Sequence, residues 1–211
     1  MPVIFDFDGV IADTEKLHFA ASREVLTRLG VALDEAAYYA KYLGYSDQRM
    51  AEALGVDPTR FIAEKGAVYD TLLGSGAILF PGAAACIERL AAGAGPIAIA
   101  SGAFREEIEH ILSGAGLREH FHVIVGARDA AHSKPHPAPY LEAARRLQVD
   151  PSECVVIEDS MWGLDAARAA GMKTIAVTHT YPRQQLTADL IVDSLDDVAV
   201  ESIEGVRRKG P

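Results

Sequence analysis

The sequence has little of the features that mark several other classes of protein. It has two cysteines in 211 residues, Cys86 and Cys154, which are far apart and lie in apolar stretches. Such cysteines are expected to be buried free thiols of a protein in a reducing compartment, rather than a disulfide framework. No apolar run is as long as a membrane span, and acids soon interrupt the apolar residues near the N-terminus. We therefore expect a cytoplasmic protein with no membrane segment and no signal peptide.

Positive charge is also scarce. The chain has 20 lysines and arginines against 30 aspartates and glutamates, which gives a net charge of -10. Its one short basic group, at residues 207–209, is typical of a solvated terminus. This balance argues against nucleic acids and anionic membranes as partners. The hydrophobic fraction of 49% is that of an ordinary globular protein with a substantial core.

Short apolar runs alternate with helical patterns over most of the chain. The runs are rich in valine and isoleucine and lack polar alternation, which is typical of parallel strands covered on both faces. A typical helical segment between them, FREEIEHILSGAG from Phe104, has one apolar face and ends in glycines. This pattern predicts an α/β fold, a parallel sheet with helices on both faces. The six runs begin at Val3, Pro96, His122, Cys154, Lys173 and Asp189.

The region after the first apolar run differs from the rest, because it has helical patterns and no buried-strand signature. We therefore predict two domains, an α/β core of residues 1–13 and 80–211 and a helical domain of residues 14–79 inserted after the first strand. An insertion at that point would lie over the carboxyl ends of the strands, where α/β sheets bind their ligands.

Polar residues follow the predicted strands at the points where they end. In a parallel sheet these ends share one edge, so the side chains are expected to lie close together. Four carboxylates at one edge repel one another unless a cation offsets them, and carboxylate oxygens without cysteine or adjacent histidine suit Mg²⁺. A lysine, a hydroxyl and a glycine amide beside that metal suit a phosphoryl group. The residues are Asp6, Asp8, Ser101, Gly102, Lys134, Glu158 and Asp159.

Taken singly, these residues have simpler interpretations. Ser101 could cap the helix that begins near Phe104, and Glu158 and Asp159 could cap the helix that follows them. The Asp-x-Asp spacing of Asp6 and Asp8 is more informative, because residues two apart in an extended segment point the same way. One carboxylate can then attack phosphorus while the other handles the proton of the leaving group.

Four segments, in this order, resemble the motifs of the haloacid dehalogenase superfamily: DFDGV at Asp6, ASGA around Ser101, SKPHP around Lys134 and VVIEDSMWGLDAARAAGM from Val155. The resemblance implies a Rossmann-like core with a helical cap, Mg²⁺ as cofactor and a small phosphorylated metabolite as substrate. The segment DTEKLH, from Asp13 to His18, is similar to the start of the cap in the β-phosphoglucomutase and sugar-phosphate phosphatase branch.

The resemblance also implies roles for individual residues. Asp6 would be the nucleophile and a Mg²⁺ ligand, and Asp8 the general acid and base, with its backbone carbonyl on the metal. Ser101 and the Gly102 amide would hold the phosphoryl oxygens, and Lys134 would neutralise the phosphoryl group and Asp6. Asp159 would bind the metal with the assistance of Glu158, and His18 would face the substrate from the cap.

Three functions remain open, of which a phosphatase is favoured over a phosphomutase and a phosphoacceptor signalling domain. Asp8, the second acid of the first motif, favours phosphate chemistry over dehalogenation, and it would shorten the life of a phosphorylated signalling state. The segment GYSDQR has Asp47 where the mutases carry an arginine, with Arg49 two residues later. A carboxylate there would repel a second phosphate. Ser133 replaces the usual glycine, which is a minor departure. The oligomeric state is not indicated by the sequence.

Overall fold

The computed structural model describes residues 1–43, 45, 47–73 and 79–208. Among these residues the chain divides into two compact units. Residues 1–13 together with 79–208 form the first, and residues 14–73 form the second. The first unit holds all the strands found in the described part of the chain, and the second is helical.

The first unit is built on a six-stranded sheet in which every pairing is parallel. The strand order is β3-β2-β1-β4-β5-β6, so β1 lies at the centre, between β2 and β4. Strands β2 and β3 lie on one side of β1 within the sheet, and β4 to β6 lie on its other side. The carboxyl end of β1 is therefore a topological switch point, where open α/β sheets bind ligands. The strands are β1 Val3–Phe5, β2 Ile97–Ala100, β3 Phe121–Val125, β4 Val155–Glu158, β5 Lys173–Val177 and β6 Leu190–Val192.

Helices lie on both faces of this sheet, which confirms the predicted fold class. The helices of the first unit are α5 Ala83–Gly93, α6 Arg105–Gly114, α7 Ala138–Leu147, α8 Met161–Ala169 and α9 Val200–Arg208. Residues of α7 and α8 pack with Ile4, Ala98 and Val156 on one face. The alternate residues Val3 and Phe5 are equally buried on the other face, where α9 contacts β4 and β5. Because both faces are covered, the strands need no polar alternation.

The second unit consists of α1 Thr14–Arg28, α2 Glu35–Lys41, α3 Asp47–Leu54 and α4 Pro58–Leu73. Helix α4 packs against both α1 and α3, and Leu26 and Phe61 are fully buried in this unit. The helical insertion after the first strand is therefore present. None of the described helices is both long and apolar enough to span a membrane.

The two cysteines are buried free thiols, as the sequence predicts. Burial raises the pKa of each thiol to about 11, so neither side chain is an activated nucleophile.

Candidate active site

Three of the predicted site residues meet at the end of the central strand. Asp6 continues the parallel pairing of β1 by donating its backbone N–H to the carbonyl of Ile157 at 2.9 Å. Lys134, from the loop between β3 and α7, donates to Asp6 Oδ1 at 2.6 Å and to Glu158 Oε1 at 2.8 Å. One ammonium group thus bridges the ends of two adjacent strands, and all three residues are largely buried.

The Glu158 carboxylate is surrounded by hydrogen-bond donors. Its Oε1 accepts from Lys134 and from the hydroxyl of Tyr140, the latter at 2.9 Å. Its Oε2 accepts from the backbone N–H groups of Asp159 and Ser160, both at 2.8 Å, and from the Ser160 hydroxyl at 3.0 Å. Burial alone would raise the pKa of Glu158, but Lys134 and these donors outweigh it and lower the pKa. These donors therefore favour the ionised form of the Glu158 carboxylate and hold it in place.

The neighbouring carboxylates are poorly neutralised. Burial raises the pKa of Asp6 to about 7 despite the nearby Lys134. Burial, reinforced by the charges of Glu158 and Asp6, raises the pKa of Asp159 well above its usual value. Both shifts mean that burial disfavours the ionised forms of Asp6 and Asp159, although Lys134 lies nearby.

This charge and this donor set fit a divalent metal ion. One carboxylate oxygen each of Asp6, Glu158 and Asp159 lies within 4.8 Å of the others. All three are hard oxygen ligands, which suit Mg²⁺. A cation there would favour the ionised forms of Asp6 and Asp159 and so oppose the effect of burial on their pKa values.

Asp8 and Ser101 are also brought together. The Ser101 hydroxyl donates to Asp8 Oδ2 at 3.2 Å and accepts from the backbone N–H of Ala103 at 3.1 Å. The N-cap of α6 is Phe104, so the simpler interpretation of Ser101 as a helix cap is wrong. Likewise Ser160 caps α8 by accepting from the N–H of Gly163, so Glu158 and Asp159 do not cap that helix.

Ser101, Gly102 and Lys134 line one cavity of about 250 Å³, together with residues of the loop that follows β3 and with Pro139 of α7. A Cβ atom placed on Gly102 would meet no other atom within 4 Å, so the surroundings of this residue are open. The cavity therefore brings a hydroxyl, an ammonium group and a glycine to one space that is large enough for a phosphoryl group.

The glycine of the first motif is required by its surroundings. Gly9 has a φ of 80°, and a Cβ there would lie 2.1 Å from Asp159 Oδ2. The loop after β1 thus passes directly against the candidate metal ligand Asp159, which only a glycine permits.

Two further residues at this edge were missed by sequence reasoning. The Thr180 side chain is close enough to Asp159 to favour the ionised form of that carboxyl and so oppose its raised pKa, and His179 Nδ1 lies 3.0 Å from the carbonyl oxygen of Gly9. Because a carbonyl can only accept, this bond places a hydrogen on Nδ1 of His179. Both residues follow β5. They could have been predicted from the sequence in the same way as the polar residues that follow the other strands.

His18 lies in α1, in the helical unit. Its ring stacks on Tyr69 with centroids 4.5 Å apart, and its buried Nδ1 has no hydrogen-bond partner among the described residues. Burial, and secondarily the charge of Lys65, lowers the pKa of His18 to about 4. His18 is therefore neutral at physiological pH.

The helical unit also contains a buried ion pair that changes the interpretation of Asp47. The ammonium group of Lys65, on α4, is buried and pairs with the Asp47 carboxylate at the start of α3. The Arg49 guanidinium lies 3.8 Å from the centroid of the Tyr45 ring. Lys65 offsets the charge of Asp47, which weakens the repulsion of a second phosphate that the sequence predicts at this position. Gly44 and Ser46, in the same segment, lie outside the described residues.

The chain is similar in sequence to a known protein family and to several named enzymes. The sequence profile of the family described as haloacid dehalogenase-like hydrolase matches residues 3–177. Fructose-1-phosphate phosphatase YqaB of Escherichia coli K12 is 37% identical over 182 residues, which cover 83% of this chain and 95% of that protein. β-Phosphoglucomutase of Bacillus subtilis 168 is 30% identical over 212 residues, which cover 94% and 92%. The relatives thus include a phosphatase and a mutase.

A solved structure has the same fold. The crystal structure of CbbY from Rhodobacter sphaeroides in complex with phosphate superposes with a TM-score of 0.81 at 28% identity. The superposition covers 96% of this chain and 98% of that one. The likeness therefore extends over both units and not only over the sheet.

Proposed function

Because the chain belongs to the haloacid dehalogenase-like hydrolases, we propose that it is a Mg²⁺-dependent phosphatase that acts through an aspartyl phosphate. Its substrate is a small phosphorylated metabolite, a monophosphate resembling a sugar phosphate. The observation that carries this proposal is the buried Asp6 at the end of the central strand, paired with Lys134 and clustered with Glu158 and Asp159. The named phosphatase among the relatives supports it.

In the proposed reaction an oxygen of Asp6 attacks the phosphorus atom, and the bond from phosphorus to the substrate oxygen breaks. Asp8 donates its proton to that oxygen as it leaves. Asp8 then accepts a proton from water, which attacks the phosphorus of the aspartyl phosphate and releases inorganic phosphate and free Asp6. The hydrogen bond from Ser101 to Asp8 Oδ2 supports this role, because it orients the carboxylate that carries the proton.

Lys134 and the Gly102 amide would hold the phosphoryl oxygens during both steps. The Ser101 hydroxyl, which has one hydrogen, would turn from Asp8 to a phosphoryl oxygen when the substrate binds. Asp6, Asp159 and the backbone carbonyl of Asp8 would hold Mg²⁺, which when bound stabilises the charge of the transferring group. Glu158 would assist metal binding by orienting the groups around it, because five donors already bind its carboxylate.

The helical unit would act as a cap that selects the substrate. The resemblance implies that His18 faces the substrate. Its buried Nδ1 has no hydrogen-bond partner in the described part of the chain, which supports a role beyond packing. Closure of the cap would exclude water until the phosphoryl group has been transferred.

A phosphomutase is the second candidate. It would use the same aspartyl phosphate, with a second substrate hydroxyl in place of water. The β-phosphoglucomutase relative favours it, as does Lys65, which offsets the negative charge of Asp47. The phosphoacceptor signalling alternative is not supported, because the named relatives are enzymes.

A substrate screen tests the proposal. Phosphate release should be followed across hexose 1-phosphates, hexitol phosphates, phosphorylated glycolytic acids and nucleotides, with Mg²⁺ and with excess chelator. We expect release from phosphorylated sugars or sugar alcohols only when Mg²⁺ is present. Full activity in chelator would contradict the metal assignment.

A second measurement separates phosphatase from mutase. The enzyme is given β-glucose 1-phosphate with a trace of the 1,6-bisphosphate, and both glucose 6-phosphate and free phosphate are followed. We expect free phosphate to form and the bisphosphate to bring no activation. Glucose 6-phosphate forming much faster than phosphate would establish the mutase instead.

A further inference from the structure

Tyr140 is a buried residue whose hydroxyl the packing of the core does not require. It lies in the first turns of α7, is fully buried, and packs in the apolar cluster between α7, α8 and the sheet. The ring alone would satisfy that cluster, as a phenylalanine would. Burying a hydroxyl destabilises the fold unless the hydroxyl is hydrogen-bonded, so the group that it binds indicates its role.

The partner of the hydroxyl belongs to the candidate active site. Tyr140 donates to Glu158 Oε1 at 2.9 Å, and the same oxygen accepts from Lys134 Nζ at 2.8 Å. Two donors therefore share one carboxylate oxygen. Without the phenol, Lys134 would be the only side-chain donor to this oxygen among the residues that the structure describes. The ammonium group would then be drawn towards Glu158 and away from Asp6.

The ring of Tyr140 contacts the same ammonium group. Lys134 Nζ lies 4.7 Å from the ring centroid, within the range of a cation–π interaction. An ammonium group has three N–H donors, and two of those of Lys134 engage Asp6 and Glu158. The third is left for a phosphoryl oxygen, and its direction is set by whatever holds the other two.

We propose that Tyr140 is a positioning residue for phosphoryl binding: its ring and its hydroxyl together hold the Lys134 ammonium between Asp6 and Glu158. This inference rests on the proposed function, in which Lys134 contacts the phosphoryl group. Tyr140 itself touches neither the substrate nor the reacting atoms in this proposal, because it acts through Lys134 and Glu158.

The test compares Tyr140→Phe, which removes only the hydroxyl, with Tyr140→Leu, which also removes the ring. Hydrolysis of p-nitrophenyl phosphate gives kcat/KM, and inorganic phosphate as a competitive inhibitor gives its affinity. Loss of a hydrogen bond to a charged group predicts a fall of about tenfold in both quantities for Tyr140→Phe. For Tyr140→Leu we expect a fall of roughly 100-fold, since the cation–π contact is lost as well.

Tyr38→Phe is the matched control. Tyr38 is also buried and its hydroxyl also donates to a carboxylate, that of Glu15, but both residues lie in the helical unit. This variant should lower the melting temperature and leave kcat/KM and phosphate affinity unchanged. A purely structural Tyr140 would behave in the same way, so unchanged kinetics in Tyr140→Phe, within twofold of an active wild type, would overturn the proposal.

A double-mutant cycle shows whether Tyr140 acts through Lys134. In a Lys134→Ala background, Tyr140→Phe should cause no further loss of phosphate affinity, measured by calorimetry with inorganic phosphate. Additive losses would show that Tyr140 acts by another route and would overturn the proposal. A wild-type protein that neither binds phosphate nor hydrolyses phosphate esters would instead overturn the proposed function itself.

Discussion

At the scale of single residues, the site depends on how one lysine is shared between two carboxylates. Lys134 contacts both Asp6 and Glu158, yet the pKa of Asp6 is raised to about 7 by burial whereas that of Glu158 is lowered. The difference arises because Glu158 also accepts from Tyr140 and from the start of α8. A proton therefore resides on Asp6 more readily than on Glu158, and in the proposed mechanism Asp6 would have to lose this proton before it could attack phosphorus.

Asp6→Asn should remove the nucleophile while keeping the shape of the side chain. We expect turnover of every substrate to fall by more than about 10³-fold, with the circular dichroism spectrum unchanged. Asp34→Asn is the matched control, since Asp34 is an exposed N-cap of α2 and asparagine caps equally well. If Asp6→Asn kept a tenth of the activity, covalent catalysis by Asp6 would be ruled out.

Asp8→Asn should reveal its role through the leaving group. A general acid contributes roughly 10²–10⁴-fold, and alkyl phosphates need it more than aryl phosphates, whose leaving oxygen is a weaker base. We expect the rate of single-turnover phosphorylation by an alkyl phosphate to fall far more than the rate with p-nitrophenyl phosphate. Equal losses for both substrates would mean that Asp8 is structural or only a metal ligand.

At the scale of elements, one carboxylate fastens the loop that carries Lys134. Asp129, in the loop after β3, accepts from the N–H of Gly126 at 2.8 Å and from Arg105 of α6 at 2.8 Å. Its other oxygen accepts from Arg146 of α7 at 2.9 Å. Two helices and the start of the loop are thus joined at a single side chain, which limits the freedom of the segment leading to Lys134.

Asp129→Ala should lower the free energy of unfolding by about 1–2 kcal/mol at pH 7, a modest value because the two arginines are partly exposed. Burial would raise the pKa of Asp129, but the Gly126 N–H and the arginines outweigh it and lower the pKa. The stabilisation is therefore complete above the unfolded pKa of about 3.9 and is lost as the pH falls below it.

Denaturant unfolding at several pH values checks this prediction. The difference between wild type and Asp129→Ala should be constant from pH 5 to 8 and shrink below about pH 4. Asp165→Ala, which breaks an exposed pair with Arg168 inside α8, should cost much less. A difference that grew at acid pH would contradict the lowered pKa of Asp129.

At the scale of the whole molecule, stability and metal binding are expected to be linked. The chain has a net charge of -10, and three of its acids are buried together at one edge of the sheet. One lysine, Lys134, pairs with two of these acids. Burying three like charges beside a single counterion opposes folding, so an ion that binds only the folded state should stabilise it.

Mg²⁺ should therefore raise the melting temperature, measured by calorimetry. At 100 times the Kd we expect a rise of roughly 5–10 °C, from about 2.7 kcal/mol of binding linkage. Because the pKa of Asp6 is raised to about 7, protons compete with the metal below that pH, and the rise should grow from pH 6 to pH 8. Asp159→Ala should abolish the rise and Asp165→Ala should preserve it. Equal melting temperatures with and without Mg²⁺ at pH 8 would contradict the proposed Mg²⁺ site.

The sequence by itself determined the fold class and the identity of the acids, the serine and the lysine at the strand ends. Apolar periodicity records which faces of an element are buried, and β1, β2 and β4 were therefore readable from local composition. Asp6, Ser101 and Glu158 could be proposed together because parallel strands must end at one edge. The roles of these residues remain predictions for the experiments above.

Only the tertiary structure decided which polar atoms meet. Tyr140 reads in the sequence as one more apolar position of a helix, and its bond to Glu158 spans 18 residues. Lys65 and Asp47 are also 18 residues apart, and His179 and Gly9 are 170 apart. Periodicity indicates which residues are buried but not which residues they bind. A hydrogen bond requires two atoms to be placed to within tenths of an ångström, and no local pattern encodes how the elements that carry them pack together. The protonation of Asp6 likewise follows from burial and neighbours that only the folded chain supplies.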